Sequence, residues 1–259
     1  MKKLELVVHV FSEQIPAYAK MFTAQLSGIA LYPPKKCEVT VTVWTAETDS
    51  LTAFVVDRFA WIFKERGTPA TLRLRTLQKT HLFRRAIGRN ISAKECEADV
   101  QWMNDGDYVG MDGCLDSIAA IDFEAMKPAE MTFPKYYFMQ ETHAHGDEEI
   151  RRIVPGEIFE TDRRYYFKKR LKLGIGGLQI LPREFARRGY LDGTKWIKPR
   201  KDDRPFPDTD DDARFRRTIH SSVPSDIVNL YRMRHSATSY EDVSARALRM
   251  SKKPKPGRA

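Results

Sequence analysis

The first half of the chain alternates short apolar stretches with amphipathic ones in a regular order. Four stretches are rich in strand-forming residues: 4–11, 37–44, 71–77 and 100–104. Three intervening segments place apolar residues at helical spacing: one from Ser12 to the Pro33-Pro34 stop, then 51–63 and 81–96. This order predicts an α/β domain with a largely parallel central sheet. In such sheets ligands bind beyond the carboxyl ends of the strands.

The second half of the chain is less regular. We predict helices over 115–123, 182–188 and 211–217, and strands over 131–140 and 227–231. Polar residues predict loops over 141–149 and 191–209, the second long enough to be a lid or binding loop. We assign 1–240 to one domain, with a ligand-binding half at about 1–110 and a second half at about 111–240. The basic, proline-containing tail 241–259 is expected to be disordered.

Composition narrows the setting. With 42% hydrophobic and 31% charged residues among 259, the chain describes a globular protein, and its apolar runs are far shorter than a membrane span. The start lacks the apolar block of a signal peptide, and the three cysteines show no paired or ligand spacing. We therefore expect a cytoplasmic protein, in a host cytoplasm if the gene belongs to a phage. The net charge of +9 favours a polyanionic partner such as nucleic acid or a phosphorylated ligand.

The best candidate for chemistry is Asp105-Gly106-Asp107, directly after the strand 100–104. Side chains two apart on an extended chain share a face, and two carboxylates there call for a cation between them. A hairpin turn would need a better strand than 108–113, and an EF-hand loop would need an oxygen ligand at Val109. On these residues alone, a solvated acidic loop is as well supported as a metal site. The position at a strand's carboxyl end favours the metal site.

Four separated pieces, in order, resemble the nucleotide-sugar-dependent glycosyltransferases of the GT-A fold. Arg89-Asn90 resembles the helix before the fourth strand, and Asp105-Gly106-Asp107 resembles the DxD motif. Gly176-Gly177-Leu178-Gln179, with the following Phe185 and Gly189-Tyr190, is similar to the glycine pair before an acceptor-side helix. The run Asp210-Asp211-Asp212 resembles the acidic motif. The fold class implied is α/β, a Rossmann-like GT-A domain.

A closer likeness joins Arg232-Met233-Arg234-His235-Ser236 to the β-1,4-galactosyltransferase branch, which has Met-x-Arg-His-Ser there with its histidine on the metal. Two departures stand out. Arg232 occupies the place of that branch's sulfur ligand, and Thr45 occupies the place of an aspartate that contacts the base, leaving Glu47 or Asp49 as substitutes.

The resemblance implies a reaction and roles for residues. A sugar leaves a nucleoside diphosphate, expected to be UDP, for an acceptor hydroxyl, and a divalent cation stabilises the leaving phosphate. Asp107 is the first choice as metal ligand, with Asp105 through water or on the ribose and His235 completing the set. Mn²⁺ suits these ligands, with Mg²⁺ as the alternative. Asp211 is the candidate base, closely followed by Asp212 or Asp210, and an in-line base gives inversion. The same acidic run also suits a helix N-terminus.

Further residues are expected to bind the donor. Phe11 and Glu13 follow the first strand and would flank the base. Arg89 is either a phosphate partner, a structural partner of Asp105 or a solvated helix arginine. Gly176 and Gly177 would let the backbone approach the sugar, or form a simple turn. A metal at His143, His145, Asp147 and Glu148 has the right spacing, but we favour a flexible loop there.

A second class of function competes. The stretch Arg163–Arg170 interleaves cations with aromatic side chains that can stack on bases, which is typical of nucleic-acid binding without catalysis. A solvated amphipathic element is the commoner explanation. Both readings combine in an enzyme that glycosylates a hydroxymethylated base in DNA, whose affinity would fall with salt. Glycan, lipid-linked and small-molecule acceptors stay equally open.

Overall fold

The fold was taken from a computed structural model. It describes residues 1–127, 130–174, 176–190, 198–199, 211–219 and 221–236. The predicted tail 241–259 and nearly all of the predicted loop 191–209 lie outside the described residues. None of the described helices is long and apolar enough to cross a membrane.

The first half of the chain forms the predicted strand–helix alternation. The strands are β1 (Lys2–His9), β2 (Cys37–Ala46), β3 (Ala70–Leu77) and β4 (Val100–Asn104). The helices between them are α1 (Ala17–Leu31), α2 (Ser50–Arg66), α3 (Lys79–Leu82) and α4 (Arg85–Lys94). β1 pairs in parallel with both β2 and β4, and β3 extends the sheet beyond β2. These pairings bring the carboxyl ends of four strands to one edge, where β4 runs into Asp105.

Helix α2 shows how local chemistry sets these elements. Asp49 caps its first turn by accepting the Thr52 amide, and Gly67 ends it in a left-handed conformation at φ 61°. Asp49 also accepts the Ser12 amide and hydroxyl at 2.6 Å each, so the cap ties the end of β1 to the start of α2. The capping aspartate therefore fixes the loops above the sheet edge.

The second half of the chain adds strands to both sides of this core. Its strands are β5 (Tyr108–Gly110), β6 (Glu130–Pro134), β7 (Tyr136–Gln140), β8 (Tyr166–Arg170), β9 (Leu178–Pro182), β10 (Ser221–Ser225) and β11 (Leu230–Arg232). Its helices are α5 (Cys114–Ala119), α6 (His143–Arg152), α7 (Arg183–Ala186) and α8 (Asp211–Thr218), with a 3₁₀ turn at Arg163–Tyr165.

Two sheets result. The larger has seven strands in the order β10-β6-β9-β4-β1-β2-β3, parallel except at β9, which runs antiparallel to both of its neighbours. The smaller has the order β5-β11-β7-β8. Apolar side chains of α1 and α2 cover one face of the large sheet, and those of α3, α4, α7 and α8 cover the other. A third cluster joins the small sheet to α1 and α6.

Several element predictions need correction. The expected single helix 81–96 is divided between α3 and α4, and the expected strand 131–140 is divided at Lys135 into β6 and β7, which belong to different sheets. The expected flexible loop 141–149 is wrong, because Thr142 caps a helix there by accepting the His145 amide. The weak strand after the acidic pair does form as β5, but it pairs with β11 and not with β4, so no hairpin exists.

Candidate functional site

Asp105 is held by two arginines of α4. Arg85 Nη1 lies 3.0 Å and Arg89 Nη2 lies 2.9 Å from the same oxygen, Oδ1. Burial raises the pKa of Asp105, but the positive charges of Arg85, Arg89 and Arg232 outweigh it, and the pKa lies below its ordinary value. Asp105 is therefore an anion in the folded protein, already compensated by protein cations.

Arg89 is fully buried, which rules out the solvated-arginine alternative. Its Nη1 donates to the hydroxyl of Tyr190 at 3.1 Å, and its guanidinium lies 5.4 Å from the centre of that ring. Among the alternatives raised by the sequence, this contact pattern is that of a structural partner of Asp105.

Asp107 is bound by the residue that departs from the motif. Arg232 Nε donates to its Oδ2 at 2.8 Å, and the amide of Met233 donates to its backbone carbonyl at 2.9 Å. Both contacts follow from the antiparallel pairing of Tyr108 with Arg232. The last described strand of the chain therefore completes the loop Asp105–Asp107, which we call the acidic loop.

The acidic loop is also anchored from below and from the side. Gln25 of α1 donates through Nε2 to Asn104 Oδ1 at 2.8 Å and to the carbonyl of Tyr108 at 2.9 Å. Gly177 lies directly against Asp105: a Cβ built on it would stand 2.7 Å from Asp105 Cγ and backbone N. Glycine at position 177 is thus required by the acidic loop itself. Gly176 is a half-buried turn residue beside it.

His235 lies in the same neighbourhood as Asp107, whose charge acts on it. Burial, Arg232 and His143 lower the pKa of His235 against the opposing pull of Asp107 and Asp147. A neutral imidazole at pH 7, the form that binds metals, follows from this shift. The ring also meets Tyr18 of α1 edge to face, with centroids 6.3 Å apart.

Helix α6 holds the segment that carries His235. Asp147 accepts the amide of Ser236 at 2.9 Å and its hydroxyl at 2.6 Å. His143 Nδ1 lies 3.0 Å from the His235 carbonyl, and any Cβ on Gly146 would overlap the carbonyl of Arg234. Two of the polar residues expected on a flexible loop, His143 and Asp147, therefore support the segment that carries His235, and Gly146 packs against it.

Two buried side-chain atoms are candidate donors for a cation. Asp107 Oδ1 and His235 Nδ1 are both buried and lack a hydrogen-bond partner in the described structure. No group of three His, Cys, Asp or Glu side chains able to hold a metal ion occurs among the described residues. Two protein ligands completed by substrate phosphates suit Mg²⁺ or Mn²⁺, so the two free atoms fit such an ion. The three-residue ligand set with Asp105 remains a prediction.

The expected base-contacting residues lie at different depths. Phe11 has no exposed surface and packs edge to face on Phe83 at 4.9 Å, so in this conformation it has no face to offer a base. Glu13 is bound by Lys79 Nζ at 2.9 Å and by the Thr48 hydroxyl at 2.8 Å. Asp49 is occupied as a cap, which leaves the exposed Glu47 as the substitute for the family's aspartate.

The predicted catalytic carboxylates lie at the start of α8. The helix begins at Asp211, as expected, but the side chains of Asp211 and Asp212 lie outside the described residues, as does Asp210. Phe215, one turn further on, stacks on Tyr190 with centroids 4.2 Å apart. Because Tyr190 also contacts Arg89, a continuous packed path joins α8 to Asp105.

Sequence reasoning missed Arg85, Gln25 and the supporting role of Asp147. Arg85 stands four residues before Arg89, so helical spacing could have placed both on one face. Gln25 and Asp147 carried no signal, because their partners are 79 and 89 residues away.

Comparisons with known proteins give fold relationships only. No family model and no curated protein matches the sequence. Among solved structures, S. aureus TarS 1-349 is 17% identical with TM-score 0.51, covering 89% of this chain and 60% of that one. The mannosyltransferase PcManGT from Pyrobaculum calidifontis, in complex with GDP-Man and Mn²⁺, is 16% identical with TM-score 0.49 over 91% of this chain and 58% of that one. Mouse xyloside xylosyltransferase 1 is 12% identical with TM-score 0.39, over 76% and 72%.

The predicted fold class is confirmed by the likeness to TarS. The chain has a GT-A fold, with a mostly parallel central sheet. It spans less than two thirds of TarS 1-349 and of PcManGT.

Proposed function

We propose that this protein is a metal-dependent glycosyltransferase that moves a sugar from a UDP-sugar to an acceptor hydroxyl. The observation that supports this most is the position of Asp107 just beyond the carboxyl end of β4, near enough to His235 for its charge to act on that imidazole. Ligands bind at that edge in folds of this kind. TarS, which shares the fold, has been crystallised in complex with UDP-GlcNAc.

The donor's diphosphate would bind a metal ion held at the acidic loop. Asp107 Oδ1 and His235 Nδ1 would hold Mn²⁺ or Mg²⁺, and the ion would stabilise charge on the departing β-phosphate. Arg85 also has access to solvent, since 28% of its side chain is exposed, and it would add positive charge beside the phosphates. The backbone at Gly177 lies against Asp105 and would border the sugar.

The acceptor oxygen would attack the anomeric carbon as the bond to the β-phosphate breaks. Its proton would pass to a carboxylate at the start of α8, with Asp211 as first candidate and Asp212 as second. An attack in line with the departing phosphate inverts the anomeric centre. Analysis of the product by NMR tests this, since an α-linked sugar from an α-configured donor contradicts it.

For the acceptor, we propose a hydroxymethylated base in DNA. The net charge of +9 favours a polyanion, and the described strand β8 carries three consecutive cations at its exposed end. A hydroxymethyl group supplies the primary hydroxyl that the reaction needs. Transfer only to glycans or small molecules, with none to such DNA, would contradict this acceptor.

The deciding experiment is a screen of nucleotide-sugars for metal-dependent hydrolysis, run with Mn²⁺ and with chelator. We expect turnover of a UDP-sugar, lost in Asp107→Asn. Asp112→Asn is the matched control, because it makes the same chemical change at an exposed aspartate five residues away. Equal turnover by the parent and Asp107→Asn would overturn the proposal.

A further inference from the structure

The exposed edge strand β8 carries an unusual concentration of uncompensated charge. Lys168, Lys169 and Arg170 are all exposed. None of the three has a carboxylate partner among the described residues, and neither does Lys172 just beyond the strand. The cations before the strand are different: Arg164 pairs with Asp162 at 2.6 Å, and Arg163 donates to the Tyr32 hydroxyl at 3.0 Å. Of the described cations from Arg163 to Lys172, those of β8 and Lys172 therefore form a continuous exposed group without a carboxylate partner.

Exposed aromatic surface accompanies this charge. Phe167 and Tyr165 are each 41% exposed, and Lys168 lies 4.4 Å from the centre of the Tyr136 ring on the neighbouring strand. Lysine on an edge strand discourages pairing with other chains, but that role does not require an exposed phenylalanine beside it. Cations that bind phosphates, next to rings that stack on bases, are the pattern of nucleic-acid surfaces.

The register of the small sheet connects β8 to the acidic loop. Tyr108 pairs with Arg232, Arg232 with Met139, and Met139 with Phe167, so these four residues form one row across the sheet. At about 4.8 Å per strand, Phe167 stands roughly 14 Å from Tyr108. That distance equals about four nucleotides of a B-form strand at roughly 3.4 Å each. A polymer reacting at the acidic loop can therefore reach the exposed edge strand β8, where Phe167 and Lys169 lie on the face of this row and Lys168 and Arg170 lie on the opposite face.

We propose that β8, through Lys168, Lys169, Arg170 and Phe167, is the docking surface for the phosphodiester backbone and flanking bases of a nucleic-acid acceptor. This inference rests on the proposed function, because it takes the acidic loop as the place where the acceptor reacts. It assigns the surface to binding of the nucleic-acid strand beside the reacting base and not to recognition of that base.

Fluorescence anisotropy tests the docking surface. It measures the binding of single-stranded and duplex DNA oligonucleotides, each carrying a fluorescent label, across a salt series. The variant Lys168→Ala/Lys169→Ala/Arg170→Ala should lower affinity about tenfold or more at low salt. The slope of log K against log salt should fall by about 2 to 3, since each phosphate contact contributes about 0.9. Phe167→Ala should weaken single-stranded binding by about fivefold or more.

The matched control is Lys35→Ala/Lys36→Ala/Lys64→Ala, which removes the same charge from exposed lysines away from β8. We expect its salt slope to equal that of the parent protein. Equal losses in both triple variants would show an effect of net charge alone and overturn the proposal. Binding of heparin through β8 without binding of DNA would also overturn it.

Failure of the docking surface and failure of the proposed function give different results. Hydrolysis of the UDP-sugar by the parent protein, measured without DNA, tests the enzyme alone. DNA binding through β8 without any sugar-nucleotide turnover would support the docking surface and contradict the glycosyltransferase. Sugar-nucleotide turnover without DNA binding would support the glycosyltransferase and contradict the docking surface.

Discussion

The contact between Gly177 and Asp105 gives the sharpest test of the site's construction. In Gly177→Ala the new methyl group would stand 2.7 Å from both Cγ and backbone N of Asp105 and 2.8 Å from its Cβ. Backbone atoms cannot rotate away as the end of a flexible side chain can. Either the acidic loop or the turn before β9 must therefore move.

The size of the effect follows from these distances. Optimal carbon–carbon separation begins at about 3.5 Å, so the loop must shift by roughly 0.8 Å. Forcing one methyl group into packed surroundings costs about 1–3 kcal/mol of stability. A displacement of about 1 Å in a catalytic group can cost about a hundredfold in rate. We expect a loss of about 2 kcal/mol in the free energy of unfolding and a severe loss of donor turnover.

The measurement is urea denaturation together with calorimetric titration of UDP and Mn²⁺. Gly106→Ala is the control, because a Cβ at that position meets only Val8, at 3.8 Å, although Gly106 stands between the two motif aspartates. We expect this variant to fold and bind almost as the parent does. If Gly177→Ala matched Gly106→Ala in both stability and UDP binding, the argument from close packing would be refuted.

Three further predictions follow from buried charges. Arg89→Met removes a fully buried partner of Asp105 and should lower the free energy of unfolding by about 3 kcal/mol in urea titrations; a change below about 1 kcal/mol would contradict the buried pair. Burial raises the pKa of Glu149 from 4.5 to about 7, so its contribution is fully present below pH 4.5 and is lost as pH rises through 7. Between those values the parent should lose about 3 kcal/mol of stability relative to Glu149→Gln, and parallel stability curves would count against this. Arg232→Met frees the second oxygen of Asp107 and should tighten Mn²⁺ binding about tenfold, measured by calorimetry; weaker binding would show that the arginine orients the ligand.

The predictable parts of the fold are those in which each strand or helix is determined by its own residues. Strand and helix periodicity predicted the first four strands, and the change at Asn104 from buried strand to acidic loop placed the acidic pair at the sheet edge. The GT-A class, predicted from ordered motifs, is confirmed by the structural likeness. Local patterns sufficed there because each element shows its own period.

The misjudged parts depend on distant partners. The segment 143–152 is largely polar. It supports the end of the described chain only because Asp147 accepts a hydrogen bond from Ser236. Similarly, no residue pattern near Lys135 indicates that the chain passes there from one sheet to the other. Contacts over about ninety residues leave no periodic trace in sequence, so they emerge only in the folded chain.

The placement of β11 has a consequence for how the protein is made. This strand is the last described strand along the chain, yet it lies between β5 and β7 in the small sheet and brings Arg232 to Asp107. A nascent chain still holding residues 230–236 inside the ribosome therefore has a split sheet and an acidic loop without its arginine. The large sheet's first four strands can assemble during translation, but the complete small sheet and the Arg232–Asp107 contact must wait for release of this segment.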